Sequence, residues 1–144
     1  MNYATLLILL ALWTQGALTL ALLFILGRRR VPLVMDGKIA VGDIALDTRP
    51  WPEAAQKASN AFDNQFQLPV LFAIGIAIAL YLGAGWPEVV LAWAFVVSRI
   101  VHATIHVTSN HVYRRFFAYV FGFAVLIALW GVIFGRLVFA FQTV

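Results

Sequence analysis

Long apolar runs separated by short polar stretches organise this chain. From Tyr3 to Leu26 the sequence YATLLILLALWTQGALTLALLFIL carries no charge, and at about 1.5 Å per residue it exceeds the ~30 Å hydrocarbon thickness of a bilayer. It predicts a first spanning helix over about residues 3–27. Arg28, Arg29 and Arg30 follow the run rather than precede it, which is the reverse of a cleaved signal peptide and predicts a retained helix with its N-terminus outside. Pro50 and Pro52 mark the start of a second helix over about 52–82, with Glu53 in its first turn against the positive end of the dipole. GAGWPE reads as a short turn, a third helix follows over about 88–113, and a fourth over about 116–135 has Arg136 snorkelling at its end.

Residues 28–51 form the longest polar connection, and Asp36-Gly37 between short apolar runs predicts a tight turn or small hairpin there. Arg28, Arg29, Arg30, Lys38, Arg49 and Lys57 fall in or beside this loop, and Arg114 and Arg115 fall in the third one. The distribution predicts a cytoplasmic first loop, a cytoplasmic third loop, and both termini outside. The fold expected is all-α: one four-transmembrane-helix bundle over residues 1–144.

Composition agrees. The chain is 63% hydrophobic and 11% charged, with a mean hydropathy of +0.92, whereas soluble domains are about half apolar and a quarter charged. This predicts a multi-pass integral membrane protein. The net charge of +4 is topological in its distribution and gives no basic soluble face for nucleic acid. The absence of cysteine excludes disulfides, thiolate metal sites and a cysteine nucleophile, so any thiol chemistry would use a thiol brought by a cofactor or substrate. A chain of 16.0 kDa has little room to enclose a polar site alone, which points to self-association.

Two polar stripes interrupt the apolar pattern. At 100° per residue, Gln56, Asn60, Asp63, Asn64 and Gln67 share one face of the second helix, and Arg99, His102, His106, Ser109, Asn110 and Tyr113 share one face of the third. The second helix is polar at its start and the third at its end, so both stripes lie toward the same side of the membrane and can face each other. A charged group inside a span costs about 2.5 kcal/mol or more, which turns such residues into a bundle or a wet cavity. The stripes read either as hydrogen-bonded glue between helices, with Asp63 and Arg99 a buried pair, or as a ligand-facing cleft. His102 and His106 stand at i, i+4, a spacing that suits a metal, but no carboxylate stands near them on that helix and no metal site is expected. Pro69 predicts a kink in the second helix, and Gly131-x-x-x-Gly135 a helix contact in the fourth.

These residues resemble the MAPEG family, the membrane-associated proteins in eicosanoid and glutathione metabolism. The likeness is carried by Asn64-Gln65-Phe66-Gln67-Leu68-Pro69, by Arg99-Ile100-Val101-His102 and by the basic pair Arg114-Arg115, within a four-helix topology. It implies a homotrimer with clefts between subunits near the cytoplasmic face, and glutathione as the cofactor. Cofactor-binding residues would be Asn60, Asp63, Asn64, Gln67, Arg99, His102, His106, Tyr113 and Arg114. Arg115, or else Arg114, would stabilise the thiolate. The sequence departs from the glutathione-binding pattern at Asn60, Gln67 and His106, where the family usually has arginine, glutamate and tyrosine.

The resemblance therefore implies a divergent, bacterial-type member in the inner membrane. One reading is a glutathione-dependent transferase or peroxidase acting on lipophilic electrophiles, small molecules that enter from the lipid. The alternative is a non-catalytic protein of the same fold that binds a lipid or other anionic ligand in the inter-subunit cleft. The expected partners are further copies of the chain, membrane lipids and a lipophilic small molecule, with no nucleic acid.

Overall fold

In the computed structural model, residues 2–45, 47 and 49–142 are described, and among them every regular element is helical. Helix α1 spans Tyr3–Met35, α2 Glu53–Asp63, α3 Leu68–Tyr81, α4 Trp86–Val107 and α5 Val112–Gln142. Short 3-10 turns occupy Val41–Ile44 and Asn64–Phe66. With α2 and α3 taken together, four helical segments are long and apolar enough to cross a bilayer. The chain is an all-α integral membrane protein.

The first helix starts at Asn2, whose side chain accepts from the Thr5 N–H at 2.8 Å. Thr14 and Thr19 sit within the apolar run because their hydroxyls donate back to the carbonyls of Leu10 and Gln15. The helix continues through the arginines and Pro32 to Met35, past its expected end at residue 27. Arg29 explains the extension: its guanidinium donates to the Ala54 and Val107 carbonyls at 2.8 and 3.1 Å, tying α1 to the start of α2 and the end of α4. Arg30 donates to Ser59 Oγ and lies over the buried Trp51 ring at 4.5 Å. Of the tight turn or small hairpin expected at Asp36-Gly37, the turn forms, and no strand pairs there among the described residues. Gly37 is left-handed (φ +67°), and its N–H and that of Lys38 donate to the Val34 and Leu33 carbonyls, closing the helix.

The second span is not one helix. It tightens at Asn64–Phe66 and breaks at Gln67 (φ −104°, ψ −109°), and Pro69 then sits in the first turn of α3. The proline therefore begins a helix, where its missing N–H has no intrahelical acceptor to lose, rather than kinking one from inside. The third span also stops early, at Val107, where Asn110 (φ +51°) is left-handed and its N–H donates to the Ile105 carbonyl at 2.7 Å. The fourth begins earlier than expected and runs on to Gln142.

The spans run up, down, up and down. One end of the bundle carries Arg29, Arg30 and Arg115 and is called here the basic end; the far end carries Asn2, Glu88 and Arg136. The core lies between the helices, where Phe72 of α3 and Phe95 of α4 stack at 4.5 Å with both rings fully buried. Gly122 of α5 lies so close to Ser98 of α4 that a Cβ would stand 2.5 Å from the serine Oγ, so glycine sets the approach of these two helices. Gly131 and Gly135, by contrast, have open space around them within the chain and are exposed, so their motif makes no helix contact here. Large apolar side chains such as Trp13, Phe24 and Phe134 cover the outside, as a lipid-facing surface requires.

Two buried polar contacts hold the spans in register. Gln15 Nε2 of α1 donates to Gln65 Oε1 at 2.9 Å, and Gln65 Nε2 donates on to the Ala61 carbonyl. At the far end Glu88, fully buried, accepts from Arg136 of α5 and from the Gly85 N–H at 2.9 Å. Arg136 also donates to the Gly83 carbonyl, so it turns into the bundle rather than snorkelling away from it.

Arg136→Ala leaves the Glu88 carboxylate buried without its counter-charge, a change expected to lower stability by about 3–5 kcal/mol. Unfolding of the purified protein in mixed micelles measures it. A loss under about 1 kcal/mol, the range of an exposed pair, would show the carboxylate to be solvated.

Candidate functional site

Arg99 is fully buried in the basic half of α4. Its Nη2 donates to Asn64 Oδ1 at 2.8 Å, and its guanidinium carbon stands 5.8 Å from the centre of the Tyr119 ring on α5, within the range of a cation–π contact. Its Nε and Nη1 are buried without a hydrogen-bond partner among the described residues. Burying a cation with so little compensation is costly in any protein interior. Asn64 reaches Arg99 from the C-cap of α2, where the 3-10 turn begins.

Toward the basic end the polar residues continue in sequence. His102 and His106 are both buried and meet edge to face at 5.7 Å, with Tyr119 5.9 Å from His102. Arg115 Nη1 stands 3.3 Å from His106 Nε2 and donates to Asn110 Oδ1 at 2.5 Å. A guanidinium can only donate, so in this contact His106 Nε2 is the acceptor. Asn64, His102, His106, Val112, Arg115, Phe116 and Tyr119 line a cavity of about 220 Å³. Arg99 does not line it and stands behind Asn64 and Tyr119.

The polar stripes therefore meet in part. Asn64, His102, His106 and Arg115 come together, with Arg99 behind them. Asn60, Asp63 and Gln67 lie on exposed faces of the second span: Asn60 and Asp63 belong to regular α2 and face away from the rest of the chain, and Gln67 sits at the backbone break. Tyr113 and Arg114 are also exposed: the left-handed Asn110 separates them from α4 and places them in the first turn of α5. No group of three His, Cys, Asp or Glu side chains able to hold a metal forms among the described residues.

Tyr119 and the Gln15–Gln65 contact are the polar contributors not singled out from the sequence, while Asn110, expected on the third-helix stripe, accepts from Arg115 out of the left-handed turn beyond α4. For Tyr119 a signal existed, since it lies four residues after Arg115 and so on the same face of α5. For Gln15, alone in an apolar run fifty residues from its partner, there was none.

A model of the MAPEG family matches residues 3–135 of the chain. The chain belongs to the MAPEG family. Comparison with curated proteins and with solved structures gives no significant match. Membership places the cavity within a membrane helical bundle, and it supports the reading of the chain as a MAPEG-like membrane protein in contact with lipid.

Asn64→Leu removes the one acceptor that Arg99 has among the described residues and is expected to lower stability by about 1.5–3 kcal/mol, the range for hydrogen bonds to charged groups. Asn64→Asp keeps an acceptor and should not fall in the same way. Thermal unfolding of both variants in detergent checks the contrast, and equal losses would mean that Arg99 does not depend on this oxygen.

Proposed function

We propose that this chain is a glutathione-dependent transferase or peroxidase of the MAPEG family, acting on lipophilic electrophiles that reach its cavity from the bilayer. The observation that carries the reading is Arg115, a guanidinium on the wall of a cavity among helices that cross the membrane. Only its Nη1 is engaged, by His106 and Asn110, which leaves the rest of its N–H groups without a partner among the described residues. A fixed cation beside a thiol favours the thiolate over the thiol.

The residues present fit glutathione in part. Its carboxylates and thiolate suit Arg115 and the Asn64 amide, whereas its ammonium finds no carboxylate among the described residues lining the cavity. When bound, glutathione would supply a nucleophilic sulfur, which the chain lacks for want of cysteine. In this reading Arg115 holds the negative charge at the sulfur, His106 and Asn110 hold Arg115, and Phe116 and Val112 keep one side of the cavity apolar.

The exposed faces support self-association. Asn60, Asp63 and Gln67 are polar and exposed on a segment long enough to span the membrane, where an uncovered polar group is costly. A neighbouring copy in a homotrimer would cover them and bring them toward a cleft. By the positive-inside rule the basic end would be cytoplasmic and both termini outside, in a bacterial inner membrane.

A second reading is favoured by the missing carboxylate: a non-catalytic member that binds a lipid or other anionic ligand in the same cleft. Arg115→Ala separates the two. In the catalytic reading it lowers glutathione conjugation or hydroperoxide reduction by about 10²-fold or more without changing the oligomer seen by light scattering. Wild-type protein that neither binds glutathione by calorimetry nor turns it over would leave only the second reading. Light scattering also tests the assembly, with three copies expected and a monomer counting against the cleft.

A further inference from the structure

The hydrogen bond between Arg99 and Asn64 decides what the cavity can accept. Because a guanidinium has five N–H donors and no acceptor, Asn64 must turn its oxygen toward Arg99. The amide nitrogen of the same group is thereby left free of Arg99, on a residue that lines the cavity, where it can donate. Arg99 is fully buried, and two of its nitrogens have no partner among the described residues, so no other acceptor competes with Asn64 for this cation.

The rest of the lining follows the same polarity. Arg115 offers only N–H groups, and it already occupies the Nε2 acceptor of His106. His102 and the Tyr119 hydroxyl can each donate to an anion, although either can also accept. The lining residues include no carboxylate. At about 220 Å³ the space is smaller than the roughly 300–1,000 Å³ of sites for drug-sized molecules. It suits a headgroup rather than a whole tripeptide.

We propose that this cavity is an oxyanion site for a phosphate monoester headgroup, from an acidic lipid or from free phosphate, and that Arg99 is a positioning residue that locks the Asn64 amide with its donors inward. The proposal rests on the second reading above, in which the cavity binds an anion without thiol chemistry. A phosphate monoester has acceptor oxygens and negative charge and no cationic group, so it matches the donors of Arg115 and Asn64. A zwitterionic headgroup brings a cation that no carboxylate in the lining pairs and that stands against the charge of Arg115.

The test is calorimetry on the full-length protein in a non-ionic detergent, with dihexanoyl phosphatidic acid, dihexanoyl phosphatidylcholine, inorganic phosphate and glutathione as separate probes. Phosphatidic acid is expected to bind saturably and at least tenfold more tightly than phosphatidylcholine. Asn64→Asp, which keeps an acceptor for Arg99 but replaces the inward donors with a negative charge, should weaken phosphatidic acid at least tenfold while the protein stays folded. Arg99→Gln can donate or accept and frees the amide to flip, so the preference for phosphatidic acid over phosphatidylcholine should collapse toward one. Binding of inorganic phosphate as tight as that of the lipid would identify the free ion as the source, and binding of the lipid alone would identify the membrane.

Equal binding of the two lipids, or unchanged affinity in Asn64→Asp, would overturn the oxyanion site. A preserved preference in Arg99→Gln would overturn the positioning role. Glutathione binding and turnover with neither phosphate probe bound would sink this proposal and leave the catalytic reading standing.

Discussion

A guanidinium with no exposed surface, inside a helix that crosses a membrane, is the constraint on which this structure turns. Arg99 can be held there only if something supplies an acceptor and something excludes lipid. Asn64 supplies the oxygen and the Tyr119 ring covers the cation's face. These three residues come from three different spans, so satisfying one side chain fixes where the second, third and fourth spans meet. The second span breaks just past this contact, in the 3-10 turn Asn64–Phe66 and at Gln67.

The two ends of the bundle use charge differently. At the far end a carboxylate and a guanidinium meet, Glu88 with Arg136, and the Gly85 N–H and Gly83 carbonyl complete the contact. That arrangement is closed and makes a fastening between α4 and α5. At the basic end two arginines, Arg99 and Arg115, stand near two imidazoles with no carboxylate on the cavity wall. Its donors exceed its acceptors, and the excess is what an anionic ligand would satisfy. The arginines that follow the first apolar run have a further role beyond topology, since Arg29 and Arg30 anchor α1 to α2 and α4 through backbone carbonyls, Ser59 and Trp51.

The membrane-spanning segments were legible because hydropathy is a local property, additive over about twenty residues and indifferent to what lies opposite. The grouping of polar residues was less so. A helical wheel assumes an unbroken turn of 100° per residue, and that assumption fails at Gln67 and again at Asn110, whose backbones leave the helix. Residues on the near side of each break, such as Arg99, His102 and His106, kept their common face. Those beyond it, Gln67 and Tyr113, did not.

By itself the sequence determined the four spans, the end of the bundle where basic residues gather, and the presence of intramembrane polar groups that need partners. Each of these follows from what a stretch of side chains costs in lipid. Only the tertiary structure decided which partners they take: Asn64 rather than Asp63 for Arg99, Glu88 for Arg136, and Gln65 for Gln15. Pairing across a bundle depends on small departures from helical geometry and on close approaches such as that at Gly122, which join residues far apart in the chain and leave no periodic trace in it.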